Sequence, residues 1–523
     1  MTQAPPAESI GAPSTANTIG FFAMVVGMFM AILDIQIVAS SLTDIQAGIG
    51  ASREEISWIQ TSYLIAEVIV IPLSGWLATV LSTRWLFCGS ALMFTLASVA
   101  CAFAWNLESM VVFRSLQGFL GGAMIPTVFA TSYAIFPKNR QAGVTVVIGL
   151  VATMAPTLGP ALGGWLTETL SWHWLFLINI IPGLIVAATV FFQLDIDRPN
   201  LKLLKGFDLS GIVLVALFLG TLQFILEEGP GEDWFDSAEI TLFSLVCGLA
   251  AIGFFWRELT ARNPVVDLRA FSNPNFTVGC VFSFVIGIGL YGSVYVMPLF
   301  LAMVRGYSSL EIGWVIMVTG LFQFLSAPVA GMLSKKIDPR AMLAIGLALF
   351  GGGLYMNHTL TAEWGYWEFF LPQAVRGFAL MFLFIPVNAL ALGDLPPNMI
   401  KGGSGLYNLM RNLGGAIGLA VINTVLTNRL DLHAARLADS LTAARAPVTE
   451  TLSGLTSSLT PMLGGDAELA ALKTLGALVQ REATVMAFSD IFQLMALVFV
   501  AGLMIMPAMR KVNPGGEAAA GAH

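Results

Sequence analysis

Gly75-Trp76-Leu77-Ala78-Thr79-Val80-Leu81-Ser82-Thr83-Arg84 returns 256 positions further on as Gly331-Met332-Leu333-Ser334-Lys335-Lys336-Ile337-Asp338-Pro339-Arg340. Both stretches open on Gly, keep Leu third and a small residue fourth, and close on Arg. Each separates two apolar runs. A second pair stands at nearly the same spacing: Gln117-Gly118-Phe119, followed by Pro126, and Arg376-Gly377-Phe378, followed by Pro386, 259 positions on. Two matches at one spacing mark an internal repeat, a common way of building transporter folds. The pairs fall on corresponding helices if each half holds six spans and two further spans are inserted between the halves.

Composition agrees with that reading. Of 523 residues only 11% are charged and 56% are hydrophobic, with a mean hydropathy of +0.80, whereas a soluble chain averages about 25% charged. A net charge of −7 offers no basic face to nucleic acid, and the shortage of charge rules out disorder over most of the chain. What remains is an all-α polytopic membrane protein. A spanning helix needs roughly 20 apolar residues, and fourteen such runs occur: six between residues 18 and 194, two between 209 and 256, and six between 276 and 509. The first is long and has no basic residue ahead of it, so it reads as a retained span and not as a cleaved signal. The expected organisation is a tail over 1–17, a six-helix bundle over 18–194, an inserted pair with its flanking loops over 195–275, a second six-helix bundle over 276–509, and a tail over 510–523. With both ends in the cytoplasm, inside segments hold 15 Lys and Arg and short outside loops hold only Arg53 and Arg305, a bias that predicts this orientation.

These motifs resemble those of the major facilitator superfamily, specifically its fourteen-helix drug:proton antiporter branch of EmrB/QacA type. Besides the Gly75 to Arg84 loop, the resemblance rests on Phe113-Arg114-Ser115-Leu116-Gln117-Gly118, on Gly159-Pro160-Ala161-Leu162-Gly163-Gly164 in the fifth span, and on Trp172-His173-Trp174 leading to Asn179 and Pro182-Gly183. Asn263-Pro264-Val265-Val266-Asp267-Leu268 and Asn408-Leu409-Met410-Arg411-Asn412-Leu413-Gly414-Gly415 extend it to the second half. The first-half loop departs from the family pattern, with Thr79 where an acid is usual and Ser82 where glycine is usual. The resemblance implies proton-coupled export of hydrophobic or amphipathic compounds across the inner membrane of a bacterium, with a periplasmic adaptor and an outer-membrane channel as partners. It implies no cofactor beyond the proton gradient and no metal. The fifth-span motif is similar to that of exporters. Export of a siderophore, lipid or metabolite, and symport by the same fold, stand as alternatives.

The residues themselves point to the charges that sit in hydrocarbon, each costing about 2.5–3.5 kcal/mol at a helix centre. There are five: Asp34, Glu67, Arg114, Arg376 and Arg411. Asp34 and Arg114 fall at similar depth and could pair, and Glu67 falls near the midplane, where a carboxylate can be carried charged or protonated. Asp34 and Glu67 are therefore the candidate proton and cation sites, with Arg114 tuning them. The alternative is a permanent Asp34–Arg114 pair and a Glu67 that only bonds a neighbouring helix. Gln36, Gln60, Tyr63 and Arg376 are candidate cavity residues. Arg376 reads equally as an anion contact or as packing, and Arg411 as packing or as reaching for the surface. Gly75, Arg84, Gly118, Gly159, Pro160, Gly163, Gly164, Gly331, Asp338, Arg340, Arg411, Gly414 and Gly415 are the expected conformational motifs, the small ones among them sealing and bending helices because small residues let helices approach closely.

Residues 428–485 form the largest segment outside the membrane. Leu430, Leu432, Leu437 and Leu441 predict an amphipathic helix, Gly464-Gly465 a break, and residues 469–478 a second helix. The segment reads as an adaptor-docking surface or a cap. A nucleotide-driven pump is excluded by the absence of a GxxxxGK[ST] loop, and a zinc enzyme by four His without an HExxH.

Overall fold

The computed structural model describes residues 13–52, 55–204, 208–261, 264–442 and 445–509. Arg53, Lys205, Arg262, Asn263, Arg510 and Lys511, with residues 1–12 and 512–523 of the two tails, lie outside the described residues. Among the described residues fourteen helices are long and apolar enough to cross a membrane. The first six are α1 (Thr15–Ala39), α2 (Trp58–Leu81), α3 (Thr83–Ala102), α4 (Leu107–Ile135), α5 (Lys138–Thr169) and α6 (Ile180–Gln193), the last preceded by one turn over Trp174–Leu177. The inserted pair is α7 (Leu209–Glu228) and α8 (Ala238–Thr260). The second half holds α9 (Pro274–Phe300), α10 (Ser309–Leu333), α11 (Pro339–Tyr355), α12 (Tyr366–Leu392), α13 (Ile400–Ser440) and α14 (Ala467–Ile505).

Helix starts are written locally. Asn106 and Ser109 cap each other at α4, Ser308 and Glu311 do so at α10, and Asp338-Pro339 opens α11. The two halves repeat one packing scheme. α2 packs on α4 as α10 packs on α12, α1 on α5 as α9 on α13, and α3 on α6 as α11 on α14. The halves meet along α5 with α10, α2 with α13 and α4 with α13. The inserted pair stays at the edge: α7 leans on α2 and α13, and α8 presents Leu245, Leu249, Ile252 and Trp256 outward. Asp208 caps α7 and binds Arg257 of α8 at 2.9 Å. Burial opposes ionisation of Asp208, but bonds from Arg257, Ser210 and the Gly211 amide hold its carboxyl below the usual carboxylate range.

The segment over 428–485 differs from its expected form. It is not a separate element, because α13 continues without interruption to Ser440 and α14 begins at Ala467. No Gly or Pro stands between residues 419 and 440 to stop the helix. A connecting helix, Ala446–Leu463, folds back on α14, and the expected break falls at Gly464, which takes φ 54°.

Candidate functional site

In the first half one buried carboxylate organises four helices. Asp34 of α1 and Arg114 of α4 are both fully buried, and their Oδ2 and Nη1 lie 2.6 Å apart. Gln117 donates to Asp34 Oδ1 at 2.9 Å and Asn179 donates to the same oxygen at 2.7 Å. Ser98 of α3 accepts from Gln117 at 2.7 Å and from Asn179 at 3.3 Å. Arg114 is held further by Gln117 Oε1 at 2.6 Å and by the Ile59 carbonyl at 3.2 Å, and its guanidinium lies 4.3 Å from the Tyr63 ring centroid. A buried charge needs a partner and hydrogen bonds to persist in a low dielectric, and here both members have them. Asn179 reaches the site because the helical turn over Trp174–Leu177 breaks at Ile178-Asn179 before α6 resumes. Gln117, Asn179 and Ser98 were not singled out by charge. Gln117 stands in the internal repeat and in a stretch quoted for the resemblance, Asn179 only in such a stretch, and Ser98 in neither.

Glu67, also buried, sits on α2 at the interface between the halves. It faces Arg411 and Asn412 of α13 and lines a cavity with Ile35, Gln36, Gln60 and Leu64 on its own side and Tyr291, Asn412 and Leu419 on the other. The inserted helix α7 adds Gln223 and Glu227. The cavity measures about 90 Å³, well short of the roughly 300–1,000 Å³ of a drug-sized site, so in this conformer it is narrow. Tyr291 donates to Asn412 Oδ1 at 3.2 Å. Arg411 does not reach for the surface. It is buried, bonds Asn408, and lies 5.4 Å and 5.8 Å from the Phe129 and Phe384 ring centroids, which join α4 and α12 around it.

Two expected cavity residues stand elsewhere. Tyr63 is buried between α2 and α1, its hydroxyl donating to the Ala31 carbonyl at 3.4 Å and its ring under Arg114. Arg376 is buried in the second half, donating to Gln373 at 2.7 Å beside Phe350. The repeat explains its place. At the 259-residue offset Gln373 corresponds to Arg114 and Arg376 to Gln117, so the two halves carry the same Arg–Gln pair with its members exchanged. At the same offset Ser293 stands where the second half would need an Asp34.

A family model described as Major Facilitator Superfamily matches residues 24–419. The chain belongs to the major facilitator superfamily. Its relatives put this facilitator in the EmrB-type branch. The colistin resistance protein EmrB of Acinetobacter baumannii is 43% identical, with 91% of this chain and 93% of that one covered. The multidrug export protein EmrB of Escherichia coli is 30% identical over 84% and 85% of the two chains. The fatty acid resistance protein FarB of Neisseria gonorrhoeae is 29% identical over 95% and 96%. Among solved structures, the proton:xylose symporter XylE aligns over 93% of this chain and 95% of its own with a TM-score of 0.59 at 14% identity. The human organic anion transporter MFSD10 aligns over 92% and 99% with a TM-score of 0.56 at 13% identity. At such identities the two structures speak for the fold alone.

The facilitator is closed at the end that carries the Gly75 to Arg84 loop. A side chain on Gly75 would come within 2.7 Å of the Gly402 backbone, so bare backbones meet there. Ser404 donates to the Pro126 carbonyl at 2.7 Å and Tyr133 to the Asn388 carbonyl at 3.0 Å, both across the halves. Lys401 donates to the Asp197 carboxylate and to the Ala78 carbonyl. Asp197 in turn accepts from the Thr83 amide and hydroxyl, each at 2.9 Å. The acid missing at position 79 is thus supplied to the loop by Asp197, beyond the end of α6. Gly159 and Gly163 of α5 pack on Gln36 and Ile37 of α1, as Gly414 and Gly415 of α13 pack on Phe284 and Tyr291 of α9. Gly331 makes only ordinary contact with Val146, and Asp338 caps α11 by accepting from the Arg340 amide.

Proposed function

We propose that this facilitator is a proton-coupled antiporter that exports hydrophobic and amphipathic compounds by alternating access, with both termini in the cytoplasm and the span set in a bacterial inner membrane. The observation that carries this reading is Glu67, a buried carboxylate on the wall of the one cavity described here that both halves and the inserted pair line together. A carboxylate there holds either a proton or the positive end of a substrate. Loading the proton from outside neutralises a charge that would otherwise oppose reorientation through the hydrocarbon. Releasing it inside restores the acceptor for the next substrate. Each proton drawn in through 100 mV contributes about 2.3 kcal/mol. Asp34 is the second exchange site, and Arg114 sets how tightly it holds its proton. The names of the relatives, with colistin, multidrug and fatty acid resistance among them, support export over uptake and a substrate that partitions into lipid. The helices over 428–440, 446–463 and 467–485 offer a surface for a periplasmic adaptor, with an outer-membrane channel beyond it.

The test is substrate-driven pH change in proteoliposomes. Adding an exported compound moves protons in the wild type, and Glu67→Gln and Asp34→Asn abolish the movement. Normal exchange in both variants removes the residue assignment. A wild type that never moves protons removes antiport itself.

A further inference from the structure

The inserted pair has no counterpart in either half, yet one of its residues reaches the cavity. Glu227, one residue short of the end of α7, lines the wall with Glu67. Its neighbour Glu228 turns the other way and accepts from Ser57 at 3.3 Å and Thr61 at 2.9 Å, tying α7 to α2. That tie fixes the register. Glu67 lies six residues along α2 from Thr61, so at a rise of 1.5 Å per residue it is about 9 Å deeper than the Thr61–Glu228 tie, beside which Glu227 stands.

Glu227 is not needed to hold its helix. The bond it makes is from Gln223 at 2.9 Å, four residues away on α7 itself, which engages one carboxylate oxygen and joins no two elements. The deeper acid has Arg411 facing it, whereas no Lys, Arg or His is among the described residues of the cavity wall. At the outer end Gln60, one residue before Thr61, adds an amide oxygen that is buried without a hydrogen-bond partner. The wall therefore offers acceptors at two depths, with a carboxylate at its outer end that no Lys, Arg or His of the described wall pairs with.

We infer that Glu227 is a second cation-recognising residue of the cavity, and that with Glu67 it selects amphipathic dications whose positive centres are about 9 Å apart. This rests on the proposed exporter reading and names a substrate class for it. A dication with that spacing meets both carboxylates at once, whereas a monocation of equal hydrophobicity meets one.

The probes are hexane-1,6-bis(benzyldimethylammonium), whose six-methylene bridge spans that distance, and hexylbenzyldimethylammonium, its monovalent counterpart. Binding to the purified full chain in nanodiscs is measured by equilibrium dialysis. The wild type is expected to prefer the bis compound by about tenfold, the ordinary worth of one well-placed ionic contact. Glu227→Gln should bring the two within about twofold of each other through loss of the bis compound alone, and Glu227→Asp should keep most of the preference. A thermal melt of Glu227→Gln that matches the wild type certifies that the variant is folded. Equal binding of both compounds by the wild type, or an intact preference in Glu227→Gln, overturns the inference. So does a wild type that binds neither compound while exchanging protons for another substrate, and in that case antiport stands. If proteoliposomes move no protons for any substrate, the underlying reading falls instead.

Discussion

Arg114 is among the largest side chains in the molecule with no exposed surface, and its surroundings say why a charge is tolerated there. Asp34 balances it, Gln117 Oε1 and the Ile59 carbonyl accept its hydrogen bonds, and Tyr63 covers its face. Removing one member of such a pair costs about 3–5 kcal/mol because the other charge is left unmatched. Asp34→Asn should therefore lower the melting temperature of the purified protein by several degrees, and the double variant Asp34→Asn with Arg114→Gln should recover much of that loss without recovering proton exchange. A single variant as stable as the wild type would mean that the pair carries no such cost. The two charges were legible in the sequence because charge is rare in hydrocarbon. Ser98, Gln117 and Asn179 were not, since uncharged polar residues in an apolar run leave no such mark. The break that delivers Asn179 is a matter of backbone geometry. Tyr63 and Arg376 mislead for a related reason: sequence places a residue at a depth, but the side of the helix that faces a cavity is settled only by packing.

At the scale of helices, length and apolarity set the fourteen spans, and the glycines set how closely they pack. Gly118 of α4 and Gly377 of α12 occupy matching positions in the two halves. A methyl group on either would lie 2.2 Å from a carbonyl oxygen, that of Tyr63 in one case and of Thr319 in the other. Gly89 of α3, by contrast, faces open space. Gly118→Ala and Gly377→Ala should each destabilise by about 1–3 kcal/mol through overpacking. Gly89→Ala should be neutral or gain up to about 1 kcal/mol of helix propensity. Thermal melts of the three variants give the comparison, and equal behaviour would refute the close-packing account. Which glycines are contacts and which are bystanders was not readable from spacing, because glycine has the same composition signal in both roles. The continuity of α13 past the membrane was missed for a different reason: polarity rises after residue 427, but polarity alone does not end a helix.

Across the whole molecule, the closed end carries one ionic contact between the halves among the described residues. Lys401, at the start of α13, meets Asp197, which the first half anchors through Thr83. Both side chains are partly accessible, so the pair is worth on the order of 1 kcal/mol, or about fivefold in the population of the open form. In a background without the four native cysteines, a cysteine at buried Ser404 should label several-fold faster in Asp197→Asn and in Lys401→Gln. Exchanging the charges, Asp197→Lys with Lys401→Asp, should slow labelling again. Labelling rates that do not respond would show that backbone contacts alone close this end. The sequence foretold two six-helix halves and an inserted pair, but it held no sign that Asp197 serves the loop, since the two are joined only by the fold.

The 41 residues of α13 make a rod of about 61 Å, some twice the hydrocarbon thickness. One end bears Lys401 and Gly402, and the other bears His433, which meets Asp490 of α14 at 2.9 Å. An unbroken helix of that length is a lever. A tilt of about 10° at its midpoint would carry each tip through about 5 Å in opposite directions. Whatever grips the hairpin beyond the membrane would hold the far arm, and a grip firm enough to stop that arm would also stall the gate.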